Sequence, residues 1–184
     1  SIWNERQMDI LDPYLSFYKI GSGDLTAYPL LKAICQKRKP IVLSTGLSNI
    51  DEISEAIEFI CSIDKLYREK SMLSILQCTS MYPIPDEDAN LNVIRTLQNR
   101  FLYDIGYSDH TEGVSAAYYA AVLGAKIIEV HFTDTREGKE FRDHKVSFTP
   151  EELKTLKSGL GKITNLLGDG NKRPMQSEIE SNHK

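Results

Sequence analysis

Residues 105–133 read IGYSDHTEGVSAAYYAAVLGAKIIEVHFT, and this stretch decides the fold. Ile105–His110 (IGYSDH) and Lys126–Thr133 (KIIEVHFT) are apolar runs that turn polar at their carboxyl ends, as short buried strands do. Between them, Gly113 to Leu123 is rich in Ala and Tyr, has the length of a helix, and stops at Gly124, a residue suited to the backbone that closes a helix. Strand, helix and strand in that order make one parallel crossover unit. Each of the two strands carries a histidine at its carboxyl end, His110 and His131.

The same unit recurs towards the amino terminus. Tyr18–Ser22 (YKIGS), Ile41–Thr45 (IVLST) and Leu73–Thr79 (LSILQCT) are three further runs with polar ends, and the last is the most apolar, as expected of a strand buried on both faces. Thr26–Lys37 places Leu30, Leu31, Ile34 and Cys35 at helical spacing before Lys39-Pro40 breaks it. Ser48–Glu52 reads as a capped helix start with Ile53, Ile57, Ile60 and Cys61 on one face. Tyr82-Pro83-Ile84-Pro85 cannot be helix and must run extended before a helix resumes over Asn90–Arg100. Trp3–Asp12 is also helix-like. After the polar loop Asp134–Lys145, Thr149-Pro150-Glu151-Glu152 opens a last amphipathic helix, with proline in the first turn and acids at its positive end.

Such an array is α/β, either a doubly wound sheet or part of a (β/α)8 barrel. No GxGxxG or Walker sequence follows any strand, which disfavours dinucleotide and P-loop sites. Five units alone cannot close a barrel of eight strands. The expected organisation is a barrel portion over residues 1–167 and a polar linker or tail over residues 168–184 (GDGNKRPMQSEIESNHK from Gly168). The start at Ser1, almost directly in a helix, leads us to expect a missing upstream segment.

A chain of 184 residues with 41% hydrophobic and 26% charged residues suits one soluble globular core. Its net charge of −4 argues against a nucleic-acid partner, which calls for a basic face. Cys35, Cys61 and Cys78 are an odd set without CxxC spacing and read as reduced, mostly buried thiols. No run approaches the ~20 apolar residues of a membrane span, and no signal-peptide pattern opens the chain, so a cytoplasmic location with no membrane partner is expected.

Parallel strands put their carboxyl ends on one side, where α/β folds build sites. Lys19, Ser22, Ser44, Thr79, Ser108, His110 and His131 are expected to gather there. The two histidines end sequential strands, so they should lie about 5 Å apart. Neutral imidazoles so placed can share a divalent cation and leave positions for water and substrate, which suits Mn²⁺ or Mg²⁺ better than a four-ligand structural zinc. Either histidine alone is better explained by a local hydrogen bond, and it is the pair that points to a metal. Lys19 with the serine hydroxyls suits a substrate bearing phosphate and carboxylate, although single strand-end serines are ordinary turn residues. Gln77, Thr79, Ser80 and Tyr82 flank the Tyr-Pro-Ile-Pro turn, where they could bind a polyol or Tyr82 could simply pack. Asp143-His144 reads equally as a sugar contact, a cover, or a solvated loop. Asp86, Glu87 and Asp88 read as a solvated turn.

Five segments, FYKIGSG (17–23), PIVLSTG (40–46), QCTSMYP (77–83), GYSDH (106–110) and HFTD (131–134), resemble in order the sialic acid synthase family. That family condenses phosphoenolpyruvate with N-acetylmannosamine or a related sugar. The resemblance implies a (β/α)8 TIM barrel of which these are the last five strands. It implies that His110 and His131 hold the divalent metal, and that Lys19, Ser22, Ser44, Ser108 and Ser80 bind phosphoenolpyruvate. Tyr82 and Asp143 would face the N-acyl amino sugar, and the complete enzyme would be a homodimer. The family commonly has Glu-Arg before the second histidine, where this chain has Glu129-Val130, so a different acceptor sugar is plausible. The first three strands and the small antifreeze-protein-like carboxyl-terminal domain have no counterpart here, so little activity is expected of the chain alone. Two other readings stay open: another phosphoenolpyruvate-using barrel aldolase or synthase, and an inactive barrel piece serving as a binding module.

Overall fold

In a computed structural model that describes residues 4–181, five strands form one parallel sheet in sequence order. They are β1 (Tyr18–Ile20), β2 (Ile41–Ser44), β3 (Leu73–Cys78), β4 (Asp104–Asp109) and β5 (Ile128–Val130). A doubly wound sheet would reverse its strand order partway, whereas strictly sequential order is the winding of a barrel. The chain is therefore a half-barrel, part of a TIM barrel.

Strand periodicity divides this sheet into two chemistries. Tyr18, Ile20, Ile41, Leu43, Leu73, Ile75, Ile105 and Tyr107 are buried in the main core. Against that face pack three helices, α2 (Tyr28–Cys35), α3 (Ile50–Ile63) and α4 (Val93–Arg100), through Leu31, Ile34, Ile53, Ile57, Ile60, Ile94 and Leu97. The intervening residues form the other face, and the register pairs Lys19 with Val42, Ser44 with Leu76, and Cys78 with Ser108, which in turn pairs with Glu129. Towards the carboxyl ends that face is polar. At Gly106 a Cβ would come within 2.5 Å of both the Ile127 carbonyl and Leu76 Cδ2, so β5 approaches β4 only because no side chain stands there.

The expected helix starts are realised. Asn49 accepts from the backbone N–H of Asp51 and Glu52, while Glu52 reaches back to the Asn49 N–H at 2.8 Å. Thr149 and Glu152 form the same reciprocal cap at the start of α7 (Pro150–Leu167). The amino-terminal helix α1 covers Glu5–Leu11, and Trp3 lies outside the described residues. Helix α5 (Ser115–Val122) packs against α7 around buried Ala117, Phe148 and Leu156. Cys35, Cys61 and Cys78 are free and buried. No described helix is long and apolar enough to cross a membrane.

Three local expectations are revised. Strand β5 is shorter than Lys126–Thr133, because residues 131–133 leave β4 and exchange backbone hydrogen bonds with Phe148. The loop from Asp134 contains one helical turn, α6 (Asp143–Val146). The polar tail carries a short exposed helix, α8 (Gln176–Ser181), where composition alone suggests irregular chain.

Candidate active site

A cavity of about 660 Å³ opens at the carboxyl ends of the strands. Strands β1, β2 and β4 send Lys19, Ser44 and Ser108 into it, and Ser22 follows β1. Ser80 and Tyr82 enter from the segment after β3, and His110 and His131 from just beyond β4 and β5. Asp143 reaches it from the start of α6.

Thr79 is the exception. Its hydroxyl donates to the Asp88 carbonyl at 2.8 Å, and its side chain lines a separate cavity of about 750 Å³ between the start of α3 and α4. Alternation explains the difference: Cys78 points to the inner face, so Thr79 points away and Ser80 returns. Gln77 likewise faces that outer cavity and donates to the Ala89 carbonyl at 3.3 Å.

The His110 and His131 rings meet edge to face with centroids 5.0 Å apart. Thr79 contributes its main chain here: its carbonyl lies 3.0 Å from His110 Nδ1. A carbonyl only accepts, so Nδ1 carries the hydrogen and the lone pair is on Nε2. His131 Nδ1 faces Asp143 Oδ2 at 3.6 Å. Tyr82 covers the pair, with its ring centre 4.2 Å from His110 and 5.5 Å from His131, and the Arg142 guanidinium lies 4.9 Å over the same ring. Burial and then the neighbouring His110 hold His131 below the usual imidazole range. Burial alone would lower His110 too, but contact with Cys78 and the Thr79 carbonyl outweighs it and raises the ring's pKa.

The hydroxyls differ in occupation. Ser22 Oγ accepts from the Gly46 N–H at 2.9 Å, leaving its own hydrogen to donate. A Cβ at Gly46 would displace the Ser22 and Ser80 hydroxyls, so the glycine makes room for both. Ser108 donates to Glu129 Oε2 at 2.5 Å. Ser44 Oγ is buried and has no partner. An orphaned buried hydroxyl costs about 1–3 kcal/mol, so its persistence at a cavity wall points to a ligand.

Sequence reasoning missed several residues of this cavity. Glu129 stands two positions before His131 and therefore on the same face, a signal that strand period alone supplies. Asp24 and Cys78 also line the cavity, and Cys78 Sγ is 3.8 Å from His110 Nδ1. Arg142 gives no comparable signal, since a loop has no period. His144, by contrast, is structural: its Nδ1 is 2.9 Å from the buried Thr133 hydroxyl.

A half-barrel with polar groups converging at its carboxyl ends has the architecture and site placement of the (β/α)8-barrel class. The NeuB family profile matches residues 1–172, and the chain belongs to the NeuB family. It is 40% identical over 164 residues to N,N'-diacetyllegionaminic acid synthase of Campylobacter jejuni, covering 89% of this chain and 48% of that one. It is 34% identical over 169 residues to the human N-acetylneuraminate-9-phosphate synthase, covering 91% and 45%. The crystal structure of N-acetylneuraminic acid synthetase from Leptospira borgpetersenii, in complex with citrate, superposes with a TM-score of 0.86 at 32% identity, covering 97% of this chain and 60% of that one. The chain thus spans about half the length of the relatives it matches.

Proposed function

We propose that this chain serves the condensation of phosphoenolpyruvate with N-acetylmannosamine or a related N-acyl amino sugar, giving a sialic-type (nonulosonic) acid and phosphate. The observation that supports it is the meeting of His110 and His131 in one cavity with Lys19 and the strand-end hydroxyls of Ser22, Ser44 and Ser108. The names of the relatives point to the same class of product.

The donor set suits a hard divalent cation. His110 turns Nε2 away from its carbonyl partner, and His131 lies edge-on beside it. Among the described residues no three His, Cys, Asp or Glu side chains converge as a set that could hold a metal ion, so an ion on the two imidazoles would take its remaining ligands from water and substrate. A Mn²⁺ or Mg²⁺ ion held by the two imidazoles would supply Lewis-acid polarisation of the acceptor aldehyde.

The remaining work falls to the chain's own groups. The Lys19 ammonium pairs with the phosphate or carboxylate of phosphoenolpyruvate, and Ser44 donates the hydroxyl hydrogen that has no partner. Ser22 donates alongside it, and Gly46 N–H holds its oxygen in place. Tyr82 shields the histidine pair and keeps bulk water from the aldehyde. Positioning of this kind accounts for much of the barrier lowering in two-substrate condensations. The methylene carbon of phosphoenolpyruvate forms the new C–C bond to the aldehyde, water adds at C2, and phosphate leaves with its bridging oxygen.

The test supplies the full chain with phosphoenolpyruvate, Mn²⁺ and N-acetylmannosamine in ¹⁸O-water. Calorimetry should show phosphoenolpyruvate binding that Lys19→Ala abolishes, and any turnover should place ¹⁸O in the sugar acid and none in phosphate. Absence of phosphoenolpyruvate binding, or label appearing in phosphate, overturns the reading.

A further inference from the structure

We propose that Asp143 is a positioning residue, its carboxylate holding His131 in the tautomer that presents Nε2 to the divalent cation. The inference rests on the metal reading above and deepens it.

The two imidazoles differ in what stands behind them. His110 is oriented by a main-chain carbonyl, that of Thr79, at 3.0 Å from Nδ1. The only carboxylate paired with His131 Nδ1 among the described residues is Asp143, with Oδ2 at 3.6 Å, within ion-pair distance. Its other oxygen, Oδ1, faces Arg142 Nε, also at 3.6 Å. Arg142 in turn rests on the Tyr82 ring. The carboxylate is thus shared between an imidazole and a guanidinium. A carboxylate behind a ligating histidine fixes the ring's tautomer and raises its basicity, and its loss costs about 10- to 100-fold in metal affinity.

The backbone holds that carboxylate in place without help from the Asp143 side chain. The Asp143 carbonyl accepts from Ser147 N at 3.0 Å and from Ser147 Oγ at 2.7 Å. The loop is tied further by Thr133 to His144 at 2.9 Å and by Arg136 to Glu152 at 2.6 Å. Replacing the side chain therefore leaves α6 where it is.

The experiment titrates the full chain with Mn²⁺ alone and follows the free-ion EPR signal, which needs no turnover. Wild type should bind the ion, and His110→Ala should abolish binding. Asp143→Asn should weaken it about 10- to 100-fold with an unchanged melting temperature, and Asp143→Glu should recover most of the loss. A second measurement needs no variant: long-range ¹H–¹⁵N spectra of the metal-free chain should show His131 protonated at Nδ1. Mn²⁺ affinity of Asp143→Asn within twofold of wild type, or a His131 protonated at Nε2, overturns the inference while leaving the metal reading standing. No Mn²⁺ binding by wild type overturns both.

Discussion

The Tyr82 ring lies 4.2 Å from the His110 ring, centre to centre, and tilts 33° from it. The ring forms a roof over the half of the histidine pair that is most buried. Tyr82→Phe should keep the ring contact and leave Mn²⁺ affinity and melting temperature unchanged. Tyr82→Ala should open the roof to water and lower the melting temperature, the ring contact being worth about 0.5–1.5 kcal/mol. Calorimetric melting of both variants checks this.

Ser44 invites a test in which stability and binding move in opposite directions. Its hydroxyl is buried without a partner, so Ser44→Ala removes a desolvation cost and should stabilise the ligand-free chain by about 1 kcal/mol. The same change deletes a proposed donor and should weaken phosphoenolpyruvate binding roughly tenfold, the worth of one such bond. Denaturant melts and calorimetry, run side by side, measure the two effects.

Asp109 supplies a pH dependence of known sign. Its Oδ1 accepts from the Thr111 N–H and hydroxyl, both at 2.8 Å, but Oδ2 is buried without a partner. Burial raises its pKa, with the Thr111 bonds, the neighbouring Tyr107 hydroxyl and His110 opposing in part. A carboxyl whose folded pKa lies above its unfolded value binds more protons folded, so its burden on stability is absent in acid and grows as pH rises through the carboxylate range. Asp109→Asn should therefore stabilise the chain at pH 8 and make no difference well below the unfolded value of about 4. Melting temperatures across that interval settle the sign.

Gly106 tests the close approach of β4 and β5. A methyl group there meets the Ile127 carbonyl and Leu76 at 2.5 Å each. Backbone cannot yield as a flexible side chain can, so Gly106→Ala should cost about 1–3 kcal/mol and separate the two strands that lead into the histidines. Loss of Mn²⁺ binding alongside the drop in melting temperature is the expected result.

The strands, their order and the meeting of His110 with His131 are legible in the sequence because strand period and sequential pairing are local rules with long reach. Thr79 shows how the same rule is misapplied. Strand-end residues share one end of the sheet but not one face, since alternation sends Cys78 and Ser80 inward and Thr79 outward. Glu129 was within reach of that alternation, two residues from His131. Arg142, and the contact of Asp143 with His131, were not: loop 134–145 is placed by tertiary anchors such as Arg136 to Glu152, and no local pattern encodes them. The helix at Gln176–Ser181 was hidden by a composition that suits either state.

The division of each strand between a helix-packed side and a reactive side has an evolutionary consequence. Mutations that retune chemistry alter one surface, while cohesion of the domain is written on the other. Substitutions on the cavity side can thus change what the site takes at small thermodynamic risk, so long as residues such as Ile41, Leu43, Ile75 and Ile105 keep their apolar character.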